Sequence, residues 1–95
     1  MINQQRKDII IQEIKLYNPN KIGIFGSYAR DENNMDSDLD ILVSFVSDIT
    51  LFDLIGIEQG LSDKLGLKVD LVTERSLSKK IESFVYQNLK YIYKV

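Results

Sequence analysis

Residues 22–43 read IGIFGSYARDENNMDSDLDILV. The segment opens on a short apolar run, Ile22 to Phe25, followed by the pair Gly26-Ser27 and a polar connection. It closes on two carboxylates, Asp38 and Asp40, which lead into a second apolar run, Ile41-Leu42-Val43. Two short strands joined by a turn and a helix place Gly26-Ser27 at the end of the first strand and Asp38 at the start of the second. Set antiparallel, the strands bring both features to the same rim of a sheet.

In a strand, side chains at i and i+2 share a face, so Asp38 and Asp40 project together, about 6–7 Å apart along the backbone. Leu39, Ile41 and Val43 take the opposite face and pack. Two like charges side by side call for a cation, and a hard divalent ion such as Mg²⁺ takes carboxylate oxygens while keeping waters and substrate phosphates as further ligands. Gly26 lets a backbone approach a phosphate closely. Ser27 is placed to cap a following helix, over about Ser27 to Glu32, whose free N–H groups face an anion. Asp38 and Asp40 are thus candidate metal ligands, and Gly26 and Ser27 candidate phosphate ligands. A solvated turn and an ordinary helix cap are the plain alternatives for the two pairs.

Arg30, one turn beyond Ser27, reaches a phosphate or the acidic cluster, or else makes a surface salt bridge, for instance with Asp36. Asp36 shares the parity of Asp38 and Asp40 but falls in the connection, where a capping or solvated role suits it. Asp70 is the third candidate carboxylate. A lone Asp in an apolar strand is costly to bury without a partner such as a metal or a water; the alternative is an edge position facing solvent. Lys68 and Arg75 read as solvated charges.

Ninety-five residues make one small domain spanning residues 1–95, with no room for a second. Apolar residues make up 44%, ordinary for a globular core, and a net charge of −2 argues against a broad electrostatic grip on nucleic acid. A single nucleotide held through metal is the more natural partner. The chain has no cysteine and no histidine. Disulfides, Cys/His zinc sites and any triad using imidazole are therefore excluded, and acid–base work falls to carboxylates, Lys, Tyr or water. The polar N-terminus lacks the apolar core of a signal peptide and no run reaches the length of a membrane span, so a cytoplasmic protein is expected.

Taken in order, Asn3 to Tyr17 reads as an amphipathic helix with Ile10, Ile14 and Tyr17 on one stripe, broadened by Ile9, Ile11 and Leu16 and stopped by Asn18-Pro19-Asn20. Lys21 to Phe25 is a first strand, with Gly23 marking a close approach on one face. Leu39 to Phe45 or Val46 is a second strand. Leu51 to Leu65 is a long helix, capped by Asp48 or Thr50 and ended by Gly66. Gly56 and Gly60 share a face of it, as expected for close packing on the sheet. Lys68 to Thr73 is a third strand. A third helix follows, from Leu77 or Ser78 to Leu89, with Ile81, Phe84, Val85 and Leu89 inward. Lys90 to Lys94 is a final strand or a helical tail. Tyr86, Tyr91 and Tyr93 pack in the core or on the surface, with stacking on a base as the sharper alternative.

Gly26-Ser27, ten residues, then Asp38-x-Asp40 resembles the G-S-x10-D-x-D signature of DNA polymerase β-like nucleotidyltransferases. Size and arrangement resemble their minimal (MNT) type, often the antitoxin half of HEPN–MNT toxin–antitoxin pairs. The resemblance covers nearly the whole chain, from the leading helix to Asp70. It departs at Asp31, where many members carry the Gly of G-S-x-A-R-G. It implies an α/β (α+β) fold, a small mixed sheet with packed helices. It also implies Mg²⁺-dependent transfer of a nucleoside monophosphate, with AMP from ATP foremost, to an acceptor hydroxyl. Two Mg²⁺ ions would be held by Asp38, Asp40 and Asp70, and the triphosphate by Gly26, Ser27 and Arg30. In the family the acid matching Asp70 is also placed to act on the incoming nucleophile. By the same resemblance the acceptor is a hydroxyl, such as that of a tyrosine, on a HEPN toxin, which is thereby silenced. Neutralisation by binding alone is the alternative from a different class. Transfer to a small molecule such as an aminoglycoside is the third, disfavoured because no second domain exists to build that pocket.

Overall fold

The computed structural model describes residues 2–95. A four-stranded mixed sheet is built from β1 (Pro19–Phe25), β2 (Leu39–Phe45), β3 (Val69–Thr73) and β4 (Lys90–Lys94), in the order β3-β2-β1-β4. β1 runs antiparallel to β2 and β4, and β2 runs parallel to β3. The helices are α1 (Gln4–Lys15), the single turn α2 (Gly26–Ala29), α3 (Leu51–Leu65) and α4 (Lys79–Gln87), with a 3-10 turn at Glu74–Ser76. This is the expected α+β architecture. No helix among the described residues is long and apolar enough to cross a membrane.

Strand alternation sorts the side chains onto two unequal faces. Ile22 and Ile24 of β1, Leu39, Ile41 and Val43 of β2, and Val69 of β3 face one way. They meet Ile10 and Ile14 of α1 and Ile57, Leu61 and Leu65 of α3 in the main core. The other face carries a small cluster, Phe25, Leu42 and Val85, with Val72, Leu77 and Leu89 against it. Asp40 shares that thinner face with Leu42. Each fully buried aliphatic side chain in the main core contributes about 1.5–3 kcal/mol. The thick face therefore supplies most of the stability, and the thin face is left to carry polar groups.

Several element ends are fixed by local chemistry. Asn3 caps α1 by accepting from the Arg6 N–H at 2.9 Å. α1 ends at Lys15, short of the predicted Tyr17. Asn18 adopts a left-handed φ of 61° and Pro19 already begins β1, so Leu16 and Tyr17 fall outside the helix and its stripe, with Leu16 86% exposed. Thr50, rather than Asp48, caps α3 in a reciprocal box with Asp53, and Gly66 ends it at φ 66°. Gly23 is a close approach: an added methyl would sit 2.6 Å from Leu89 Cδ1.

The structure corrects two packing expectations and decides between two readings of the C-terminal segment. Gly56 faces open space and Gly60 faces Glu13 of α1, so neither seats α3 on the sheet. Of the residues expected inward on α4, only Val85 is buried, while Ile81 and Phe84 stand exposed and Leu89, beyond the helix, is partly buried. α4 covers only a strip of the thin face, through Val85. Lys90–Lys94 resolves as the strand β4 rather than a tail.

Candidate functional site

Register brings the acidic residues together. Asp40 pairs with Phe25 across the antiparallel β1–β2 ladder and with Asp70 across the parallel β2–β3 ladder. Adjacent strands lie about 4.8 Å apart, so the two carboxylates start from neighbouring backbones on one face. Asp38 lies two residues earlier, with the same parity. The antiparallel β1–β2 pairing also delivers Gly26-Ser27 to this rim, as the alternating runs predict.

Electrostatics ties the group into one neighbourhood. The Asp40 carboxyl is pushed up to about 6, first by partial burial, then by the negative charges of Asp70 and Asp38, with the Arg30 guanidinium opposing. A place that holds a proton this firmly is one where positive charge is in demand. Among the described residues no three acidic side chains close into a ready-made metal cluster. The donor set nonetheless suits a hard cation that completes its shell with waters and phosphate oxygens, which Mg²⁺ does. Asp38, Asp40 and Asp70 fit that ion as open, one-sided ligands.

Gly26 has φ +70°, a conformation L side chains rarely adopt, and faces Asp40 directly. It opens α2, whose cap position is Phe25 with no side-chain bond, so the expected capping role of Ser27 is not realised. Ser27 sits inside the turn, partly buried, its carbonyl accepting from the Glu32 N–H at 2.9 Å. A one-turn helix carries little macrodipole, which leaves Gly26, Ser27 and Arg30 as the groups available to an anion.

Arg30 pairs with Glu32 at 3.2 Å rather than with Asp36, and its guanidinium lies 5.9 Å from the centre of the Phe84 ring. Asp36 stays in the connecting loop, exposed, its N–H donating to Asn34 Oδ1 at 2.8 Å. Asp70 is exposed, so desolvation does not explain it; it occupies the edge strand. Lys68, read from sequence as merely solvated, lies 3.8 Å from Asp38 Oδ2. Its parity with Asp70 is the signal that could have placed it there. Arg75 pairs with Asp48 at 2.8 Å, and both side chains are highly exposed. Tyr86 donates to Glu74 at 2.8 Å, and Lys94 lies 5.1 Å from the centre of the Tyr91 ring; both tyrosines are surface groups. A cavity of about 320 Å³ lies at the far ends of β2 and β3, between Phe45, Asp48, Leu54 and Arg75, away from the acidic rim.

Residues 7–92 match the nucleotidyltransferase domain family. The chain is 44% identical over 92 residues to a Methanocaldococcus jannaschii protein that carries a provisional protein-adenylyltransferase name, covering 96% of this chain and 91% of that one. It is 44% identical over 72 residues to the protein adenylyltransferase MntA of Thermococcus cleftensis, covering 76% of this chain and 73% of the relative. Among solved structures, a toxin–antitoxin complex with AMP-PNP superposes with a TM-score of 0.85 at 26% identity, covering 94% of this chain and 73% of that one. A complex of a tri-AMPylated HEPN toxin with its MNT antitoxin from Shewanella oneidensis gives a TM-score of 0.80 at 25% identity, covering 99% and 74%.

Proposed function

The chain belongs to the nucleotidyltransferase domain family, and from that premise we propose that it transfers AMP from ATP to a hydroxyl on a partner HEPN toxin and so acts as its antitoxin. The observation that carries the proposal is the register Asp40↔Asp70 on the face where Gly26-Ser27 and Arg30 meet them. The relatives named above support the reaction class and the kind of partner. We further place the protein in the cytoplasm, with residues 1–95 as one minimal nucleotidyltransferase domain.

In this mechanism Asp38, Asp40 and Asp70 would hold Mg²⁺. Bound there, two such ions would supply Lewis-acid polarisation of the phosphate and lower the proton affinity of the acceptor hydroxyl. Gly26 and Ser27 orient the triphosphate through the tight turn after β1. Arg30 faces the negative charge that develops on the phosphates. Asp70, at the edge and open to solvent, stands where an acceptor on a second macromolecule can reach it; it receives the hydroxyl proton as the acceptor oxygen bonds to the α-phosphorus of ATP and the α–β phosphoanhydride bond breaks, releasing pyrophosphate. With no histidine in the chain, carboxylate is the natural base.

The test is a transfer assay with Mg²⁺, α-labelled ATP and a HEPN toxin partner, run beside Asp38→Asn. Label on the partner, lost in the variant, is expected. Tight complex formation with no label from any of the four nucleotides would leave a binding antitoxin in place of the enzyme.

A further inference from the structure

β3 is an edge strand of five residues, paired on one side only, and Asp70 is exposed on it. An edge strand frays readily unless something holds its free side. Asp70 gains little from its own packing, so its position is set by its backbone. The side chains of α3 supply the missing hold. Ser62 Oγ accepts from the Val69 N–H at 3.1 Å, and Glu58 Oε2 accepts from the Leu71 N–H at 2.8 Å. These two N–H groups flank Asp70 and point away from the sheet. By strand alternation, the backbone of Asp70 itself faces β2, as does Lys68, whose carbonyl accepts from the Leu39 N–H at 2.8 Å.

The spacing that allows this is geometric. Glu58 and Ser62 are one helical turn apart, about 6 Å along the axis. Val69 and Leu71 are two strand residues apart, about 6.6 Å. A helix running antiparallel to its following strand can thus satisfy alternate outward N–H groups with residues four apart. The two acceptors are a carboxyl oxygen of Glu58 and the hydroxyl oxygen of Ser62.

We propose that Glu58 and Ser62 are positioning residues for Asp70: they clamp the backbone on both sides of it and so fix its carboxylate against Asp40. The proposal rests on the assignment of Asp70 as an ion ligand made above. It adds two residues on a helix of the opposite, thick face to the determinants of the reaction.

The test compares Glu58→Ala, Ser62→Ala and Glu58→Gln in the full chain, with Asp70→Asn as reference. Three quantities are read: amide hydrogen exchange at Val69 and Leu71, Mn²⁺ affinity of the nucleotide-free protein by calorimetry, and kcat against KM for ATP. Each alanine variant is expected to speed exchange at its own amide, weaken Mn²⁺ binding about tenfold and lower kcat with little change in KM. Glu58→Gln, which keeps an acceptor oxygen, should restore most of the loss. In the unaltered protein, adding Mg²⁺ should slow exchange at Val69 and Leu71, a readout that survives even if an alanine variant fails to fold. Faster exchange with unchanged Mn²⁺ affinity and kcat would overturn the clamp. Unchanged Mn²⁺ affinity in Asp70→Asn would instead overturn the ligand role of Asp70, a different signature.

Discussion

Gly26 lies directly against the Asp40 side chain: a methyl group added to Gly26 would overlap Oδ2 and sit 3.1 Å from Cγ. The turn after β1 is therefore shaped around the carboxylate on β2, and a side chain at position 26 would displace it. Gly26→Ala must rotate Asp40 away and also strain a φ of +70°. The strain is worth about 1–2 kcal/mol. We expect loss of that much stability, read by chemical denaturation, together with loss of transfer activity of at least a hundredfold. Activity within a few-fold of the unaltered protein would show that Asp40 has freedom this packing denies it.

Asp40 makes metal-free stability depend on pH. Its carboxyl is raised from the ordinary 3.8 to about 6, so the folded chain holds that proton more tightly than the unfolded chain does. The stabilising contribution is complete below about 3.8 and is lost as the pH rises through about 6. Asp40→Asn should stabilise the metal-free protein at pH 8, by on the order of 1 kcal/mol after solvent screening, and do little at about pH 3.5, where the carboxyl is largely protonated in both states. The same variant should abolish transfer. A thermal scan at the two pH values, in the presence of a chelator, decides the first point.

Arg30 divides its charge between Glu32 and the acidic rim. Glu32→Gln should free the guanidinium for phosphate and lower the KM for ATP. An exposed pair is worth about 0–1 kcal/mol, so the gain should not exceed about fivefold. Arg30→Gln should do the reverse and also raise the Asp40 pKa above about 6, since Arg30 is the positive charge opposing its rise. Carboxyl NMR titration of Asp40 reports the second effect independently of activity.

Asp31 has a φ of 57°, which accounts for the glycine that many members of the family carry there. Asp tolerates this conformation better than most residues, while a β-branched side chain does not. Asp31→Val should therefore be less stable than Asp31→Gly by about 1–2 kcal/mol. Denaturation midpoints of the two variants give the comparison.

The parts of the fold governed by local chemistry were legible in the sequence. Asp48 or Thr50 before it and Gly66 after it give the bounds Leu51–Leu65 from sequence, which the structure reproduces with Thr50 as the cap and Asp53 completing the box. The alternation in β1 and β2 set Asp38 and Asp40 on one face and met Gly26-Ser27 at the same rim. What was not legible depends on which neighbours exist. Periodicity marks Ile81 and Phe84 as an apolar face, but it does not say that the sheet beneath α4 is too narrow to cover them. Nor does an apolar strand announce that it is an edge, so for Asp70 the sequence leaves a buried, partnered carboxylate and a solvent-facing edge position both open, and the structure gives the second. Lys68 and Glu58 were missed because their partners, Asp38 and the Leu71 N–H, lie on other elements.

The parallel pairing of Asp40 with Asp70 also guards the fold against its own error. If β3 slipped by one residue against β2, every side chain on it would change face. Asp70 would then point into the packed isoleucines and leucines under α1 and α3, at a penalty of several kcal/mol for an unpaired buried charge. A misaligned sheet would thus be both inert and unstable, and no long-lived, half-competent form competes with the native one. Whatever keeps the carboxylate on the thin face for chemistry keeps the strands in register during folding as well.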